Sequence, residues 1–298
     1  MNQETDRNQY KFEYIVKEMD KELPIKELLK RNFGFSSRLI IKLKTNNCVN
    51  RNGIPVKMNE KGHHPGDRIT VSMPEEISSF EPENIPISVV YEDDDLLIIN
   101  KQPGYVVHPT KGHPCHTMAN GIMKYMQDQN KQYKIRFINR LDMDTSGLLA
   151  IAKNSYCQDD LARQMSENNV TKKYVAIVKG IPAEEEGTID LPIDKEQEDQ
   201  VKRAVVRDGY PSVTHYRVLE RFQKGYAMLE LLLETGRTHQ IRVHLSHIGY
   251  PVVGDVLYGT ASVWLIERQA LHAGYLSFRH PVTDQFMEFE APLPEDMR

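Results

Sequence analysis

Cysteine is scarce in this 298-residue chain: Cys48, Cys115 and Cys157 are the complete set. Their odd number and wide spacing argue against a disulfide framework and for a reducing cytoplasm. Long hydrophobic runs are missing too. No stretch approaches the ~18 apolar residues of a membrane span, so no membrane partner is expected. The first twenty residues are polar and acidic, without the cationic start and apolar core of a secretory signal. Glycine-rich phosphate loops are also absent, because Gly34, Gly53 and Gly104 stand singly at turns. No internal repeat and no low-complexity stretch occurs. Hydrophobic residues at 40% beside charged residues at 27% exclude wholesale disorder. The length is about twice the ~150-residue prior for one domain, which allows one to three domains.

What the chain does have is a charge asymmetry. Its net charge is −4 and its pI is near 6.3. Between Lys26 and Ser72, however, ten cations stand against three anions, which gives +7 there and −11 elsewhere. A small basic module on a neutral or acidic body suggests a nucleic-acid partner. Lysines that merely solvate helix faces would give the same count.

Local signals divide the chain. Residues 1–10 read as a flexible tail. Within 11–75, Pro24 can start a helix with Ile25, Leu28 and Leu29 inward, and Gly34 ends it. Ser36 or Ser37 can cap a second helix with Leu39, Ile40 and Leu43 inward. Asn52-Gly53 supplies a hairpin turn, and a strand follows through Ile69 and Val71. His63-His64 read as solvent-facing. Residues 76–87, with their glutamates and prolines, have linker composition. The body, 88–298, shows strands at Val89–Tyr91, Leu96–Ile99, Phe137–Leu141, Leu148–Ala152, Tyr174–Val178, Thr214–Leu219, Tyr226–Leu233 and Phe286–Glu290. Helical composition covers Thr117–Gln127 and Ser155–Asn168. Many strands without regular helical alternation predict an α+β class with a mixed, largely antiparallel sheet.

Chemistry concentrates in two places. Residues 138–149 set Arg140, Asp142 and Asp144 in a short loop between apolar runs, where functional groups often sit. A surface turn with an Arg–Asp pair is the plain alternative. Residues 230–245 end a strand at Gly236 and begin a helix with Thr238 as its expected cap. Ile241, Leu245 and Ile248 then face inward, with His239, Arg242 and Ser246 on another face. An amphipathic helix with a solvated cationic face is the plain reading there. His108, His113, Cys115 and His116 cluster in sequence but match no closed zinc spacing, so no metal is assigned. Asp142 and Asp144 are too close for the two separate roles of a glycosidase pair.

The phrases "NRLDMDTSGLLAIAKN", "KKYVAIVKG", "LELLLETGRTHQIRVHLSHIGYPVVGDVLYG", "QALHAGYLSF", "FEAPLP" and "INKQPGYVVHP" carry a resemblance. Residues 88–298 resemble the RluA/RluD type of RNA pseudouridine synthase, with Asn139 standing where that family usually has His. Residues 11–75 resemble the small alpha-L RNA-binding module of a ribosomal small-subunit protein. The resemblance implies an isomerase that converts uridine to pseudouridine in structured RNA, ribosomal rather than transfer RNA being favoured. It implies Asp142 as the essential carboxylate, Tyr174 stacked on the uracil, Arg242 paired with Asp142, and Ile241 under the ring. It implies Arg140 entering the RNA stack in place of the extruded base. On the module, Arg38, Lys42, Lys44 and Arg51 are the expected RNA contacts. The reaction is redox-neutral and releases nothing, so no cofactor is expected. A cytoplasmic monomer is the expected state. A catalytically silent RNA-binding protein on the same fold is the alternative, and intact Asp142, Tyr174 and Arg242 favour the enzyme.

Overall fold

The computed structural model describes residues 11–195, 201–259 and 266–298; the expected tail lies outside the described residues. In the basic segment, strand β1 (Phe12–Ile15) precedes helix α1 (Ile25–Phe33). Pro24 starts that helix without sacrificing a hydrogen bond, and Gly34 ends it in the left-handed conformation at φ 67°. Helix α2 (Ser37–Thr45) is capped by Ser36, whose hydroxyl accepts from the Leu39 N–H at 3.1 Å. Such a cap contributes about 1 kcal/mol. Strands β2 (Val49–Arg51) and β3 (Ile54–Pro55) turn at Asn52 and Gly53, both at positive φ, and β4 (Arg68–Val71) follows. The sheet order is β1-β4-β2-β3, all antiparallel. Leu28, Leu29, Leu39, Leu43, Ile69 and Val71 fill its core.

One expectation fails here. His63 is fully buried rather than solvent-facing. Its Nδ1 lies 2.9 Å from Arg51 Nη1 and its Nε2 lies 3.0 Å from the Leu23 carbonyl, so both ring nitrogens find partners away from water.

The basic segment rests on the body. The rings of Phe12 and Phe35 lie 4.7 and 5.4 Å from that of Tyr156, and the Ser36 hydroxyl donates to Asp159 at 2.7 Å. Lys11 pairs with Asp95. Residues 72–87 form no helix or strand, yet side chains pin them down. Glu76 holds Lys42 and Arg136, the Ser78 hydroxyl accepts from the Ile135 N–H, and Asn120 donates to the Glu81 carbonyl.

The body runs β5 (Ser88–Glu92), β6 (Leu96–Lys101), α3 (Met118–Asp128), β7 (Arg136–Phe137), β8 (Ser146–Ala152), α4 (Ser155–Ser166) and β9 (Thr171–Lys179). It continues through β10 (Glu186–Asp190), β11 (Ile193–Lys195), β12 (Arg203–Val205), β13 (Val213–Phe222), β14 (Tyr226–Leu233), α5 (Gln240–His247), β15 (Leu271–Arg279) and β16 (Phe286–Glu290). Ten strands form one sheet with the path β10-β13-β14-β9-β15-β8-β6-β5; β16 joins β15 and β7 joins β8. The β8–β15 pairing is parallel, and the other pairings in the sheet are antiparallel. The class is therefore the α+β, largely antiparallel one expected.

Strands β6 and β8 are buried on both faces. Leu97, Ile99, Leu149 and Ile151 face the core beneath α3. Leu96, Ile98, Leu148 and Ala150 face the second core, with Cys157 and Leu161 of α4. Burying each Leu or Ile contributes about 1.5–3 kcal/mol. This rigid centre carries the loop that contains Asp142.

The strand expected over Phe137–Leu141 stops at Phe137. Asn139 takes over with its side chain, donating from Nδ2 to the Leu148 carbonyl at 3.0 Å and accepting at Oδ1 from the Ala150 N–H at 2.9 Å. The side chain replaces ladder bonds, and the backbone is released into the loop.

Candidate active site

The loop from Arg140 to Thr145 is held from below. Lys101, at the end of β6, is fully buried. Its ammonium donates to the carbonyls of Gln102, Asp142, Met143 and Thr145 at 3.0, 3.3, 2.7 and 2.9 Å. Burial pulls this lysine down to about 7, against the charges of Asp144 and Asp142. The loop also closes on itself through the Thr145 N–H and the Asp142 carbonyl. Arg268 donates to the Asp144 carbonyl at 3.0 Å, and Gln269 donates to the Thr145 hydroxyl at 3.0 Å. Gly147 ends the loop at φ 112°, where a Cβ would lie 2.3 Å from the Ala273 carbonyl oxygen. Only glycine allows the parallel β8–β15 approach at that point.

The Asp142 carboxylate is a quarter exposed and accepts from Arg242 Nη1 at 2.8 Å. The other edge of the same guanidinium grips Asp255 through Nε and Nη2, at 2.7 and 2.8 Å. Asp255 is fully buried, and its Oδ1 also accepts from the N–H groups of Leu257 and Tyr258. Burial alone would raise the Asp255 carboxyl, but the hydrogen bonds and charge of Arg242 outweigh it and hold it below the usual range. For Arg242 itself, burial acts against the charge and the two carboxylates more than offset it. A bidentate contact fixes the plane of a guanidinium. Asp255 thereby orients the one N–H that reaches Asp142.

Helix α5, which carries Arg242, departs from expectation. It starts at Gln240, and Thr238 is not its cap. His239 takes that place in a left-handed conformation, φ 58°, with no side-chain capping bond. The Thr238 hydroxyl accepts instead from Arg140 Nη2 at 3.2 Å. Gln240 fixes the turn, accepting from Thr235 and the Arg237 N–H and donating to the Val213 carbonyl and the Thr214 hydroxyl. The face bearing Arg242 is not solvated: Gln240 to Leu245 are all buried.

Tyr174 lies on β9 opposite Leu231 and is buried; burial and then the Asp142 charge push its hydroxyl far up, so it stays protonated. Ile241 is buried next to Arg242 in the chain. Asp142, Arg242 and Arg140 are thus brought together, with Tyr174 within electrostatic reach. Arg237 is elsewhere, over the Tyr210 ring at 5.4 Å and bonded to the Pro211 carbonyl. On the basic segment, Arg38 and Lys44 are exposed. Lys42 pairs with Glu76 at 2.5 Å, and Arg51 pairs with Glu60 at 2.6 Å.

The histidines near Cys115 do not converge. His116 pairs with Glu83, and His108 packs on Phe80. Among the described residues, the group able to gather round a cation is Asp93, Asp95 and His280. These already serve one another and their neighbours: Asp93 accepts from Tyr91 and meets His280, and Asp95 pairs with Lys11 and accepts from Asn154.

Sequence reasoning missed Asp255, Lys101 and Tyr258. The signal for Asp255 was a lone carboxylate inside the apolar run Pro251–Tyr258.

Residues 95–247 match the family described as RNA pseudouridylate synthase. The chain belongs to the RNA pseudouridylate synthase family. It is 46% identical over 250 residues to the uncharacterized RNA pseudouridine synthase YlyB of Bacillus subtilis, covering 83% of this chain and 82% of that one. It is 40% identical over 264 residues to the ribosomal large subunit pseudouridine synthase D of Pasteurella multocida, covering 84% and 81%. Among solved structures, human RNA pseudouridylate synthase domain containing 1 aligns with a TM-score of 0.58 at 29% identity, over 73% of this chain and 86% of that one. The protein is therefore an isomerase that forms pseudouridine in RNA, and the silent alternative gains no support. Among the described residues, no helix is long and apolar enough to cross a membrane.

Proposed function

We propose that this synthase acts on ribosomal RNA, with Asp142 as its essential carboxylate. The relative from Pasteurella multocida, named for the ribosomal large subunit, favours ribosomal over transfer RNA. The observation that carries the assignment of Asp142 is its 2.8 Å contact with an arginine locked from behind by Asp255. Breaking the N–C glycosidic bond and reattaching the base through carbon needs an ionised carboxylate in a shielded pocket. A guanidinium already oriented gives that charge its counterpart without reorganising during the reaction.

The target base leaves the stack, which costs a few kcal/mol and leaves a gap to fill. Arg140, exposed beside Asp142 and tethered to Thr238, suits that gap. Tyr174 is the stacking partner for the uracil, with its hydroxyl protonated, and Ile241 packs under the ring. Residues 11–75 serve as an RNA clamp in which Arg38 and Lys44 meet phosphates directly. Lys42 and Arg51 do so by exchanging Glu76 and Glu60 for phosphate. The enzyme works as a monomer.

The test is Asp142→Asn, which is nearly isosteric. Pseudouridines mapped in ribosomal RNA from cells with the wild-type gene, with the variant and with neither should show one site or a small set lost in the last two. Product from the variant at more than a trace would remove Asp142 from the central role.

A further inference from the structure

His239 stands at the start of α5 with no side-chain capping bond, and its ring lies between Tyr258 and Asp142. It holds a left-handed backbone, φ 58° and ψ 17°, which non-glycine residues adopt where surrounding structure enforces it. One side of the ring is fixed. Nδ1 lies 2.9 Å from the Tyr258 hydroxyl, and that hydroxyl accepts from the Arg203 backbone N–H at 2.7 Å. A Tyr258 O–H that donates to Nδ1 leaves the proton of the neutral imidazole on Nε2. Burial lowers the ring's basicity, with Asp142 opposing and Arg242 assisting, so the neutral form is favoured. Nε2 faces Asp142 Oδ2 at 3.9 Å. This is too long for a hydrogen bond, but one oxygen set between the two can lie about 2.8 Å from each.

We propose that His239 determines substrate specificity by bracketing the 2′-hydroxyl of the target ribose together with Asp142. The hydroxyl accepts from Nε2–H and donates to Oδ2. Chemistry selects this group. Within an RNA chain the 3′ and 5′ oxygens are esterified and have no proton to give, and a phosphate would be repelled by Asp142. The 2′-hydroxyl both accepts and donates, and it is what separates RNA from DNA. A donor held in place for it penalises a substrate that lacks it. The inference rests on the reading of Asp142 as the reacting carboxylate.

The experiment uses the full chain and a stem-loop RNA carrying the mapped uridine, made with ribose or with a single 2′-deoxyribose at that position. Dissociation constants are measured for wild type, His239→Gly and Tyr258→Phe. Glycine accepts the left-handed backbone without strain, so the fold is expected to persist. Tyr258→Phe retains the ring of His239 and releases its tautomer. Wild type should prefer the ribose RNA by about fiftyfold, about tenfold from the charge-assisted bond to Asp142 and about fivefold from the neutral bond to His239. His239→Gly should reduce that preference to about tenfold, since the charge-assisted contact with Asp142 is left, with Tyr258→Phe in between. A residue that only supports the fold would weaken both RNAs equally. An unchanged ratio in both variants, or no preference in wild type, would overturn the inference. Pseudouridine formed by wild type but not by Asp142→Asn keeps the underlying reading intact in that event; its absence from wild type would overturn both.

Discussion

The basic segment and the body hold cations in opposite ways. On α2, Arg38 and Lys44 are open to solvent, while Lys42 of α2 and Arg51 of β2 sit in partly exposed pairs with Glu76 and Glu60. In the body, Arg242 is buried and held between Asp142 and Asp255. Exposed pairs contribute about 0–1 kcal/mol and exchange partners readily. Breaking a buried pair costs about 3–5 kcal/mol, because a desolvated charge is left behind. The first arrangement suits an RNA backbone that must be gripped and released. The second suits a reacting group whose position must not change.

The largest expected effect follows from breaking the buried arrangement. Arg242→Ala should lower the rate of pseudouridine formation on the order of 10²–10³-fold, as removal of a preorganised stabilising donor does elsewhere. It should also cost about 3–5 kcal/mol of stability, because Asp255 loses its counter-charge. Single-turnover kinetics and urea unfolding read these two effects separately.

Next comes the surface. The double substitution Arg38→Gln with Lys44→Gln should flatten the slope of log affinity against log salt by about 1.4–1.8, at 0.7–0.9 per phosphate contact. RNA titrations at several salt concentrations measure it. Lys42→Gln should change the slope less, since Lys42 must leave Glu76 before it meets RNA.

Lys101 gives a smaller, pH-dependent effect. Its folded value near 7 lies below the ~10.4 of an unfolded lysine. Between about pH 7 and 10 the unfolded chain therefore binds more protons. Stability should rise with pH across that window, by up to about 1.4 kcal/mol per unit. Denaturation at pH 7, 8 and 9 should show the rise in wild type and a flatter line in Lys101→Met. The smallest effect is expected for Arg237→Ala: Arg237 lies on Tyr210 away from Asp142, so activity should stay within a few-fold.

The two regions also differ in how legible they were. Helices α1 and α2 and the β2–β3 turn could be read because Pro24, Gly34, Ser36 and Asn52-Gly53 act within a few residues of themselves. Strand β1 was missed because its partner β4 lies more than fifty residues away. Strand β15 was missed because His272, Gly274 and Ser277 interrupt its apolar pattern. Tertiary contacts compensate, the Ser146 hydroxyl meeting His272 Nδ1 at 2.9 Å. At the site, the Asp142–Arg242 pairing came from resemblance, and no local pattern could have supplied it across 100 positions. Asp255 and Lys101 act through the backbone and through another side chain, which leaves no periodicity to read. The expected Thr238 cap failed because Gln240 satisfies the turn better, with all four hydrogen-bonding positions of its amide filled.

The division of labour between the two sets of cations is tested most directly by single-turnover kinetics over a range of RNA concentrations. Wild type, Arg242→Ala and the Arg38→Gln, Lys44→Gln double variant would be compared on one stem-loop. Arg242→Ala should lower the rate at saturation and leave the half-saturating concentration nearly unchanged. The double variant should raise the half-saturating concentration and approach the wild-type rate at saturation. Two variants that lower the saturating rate alike, or an Arg242→Ala defect abolished by more RNA, would contradict the account.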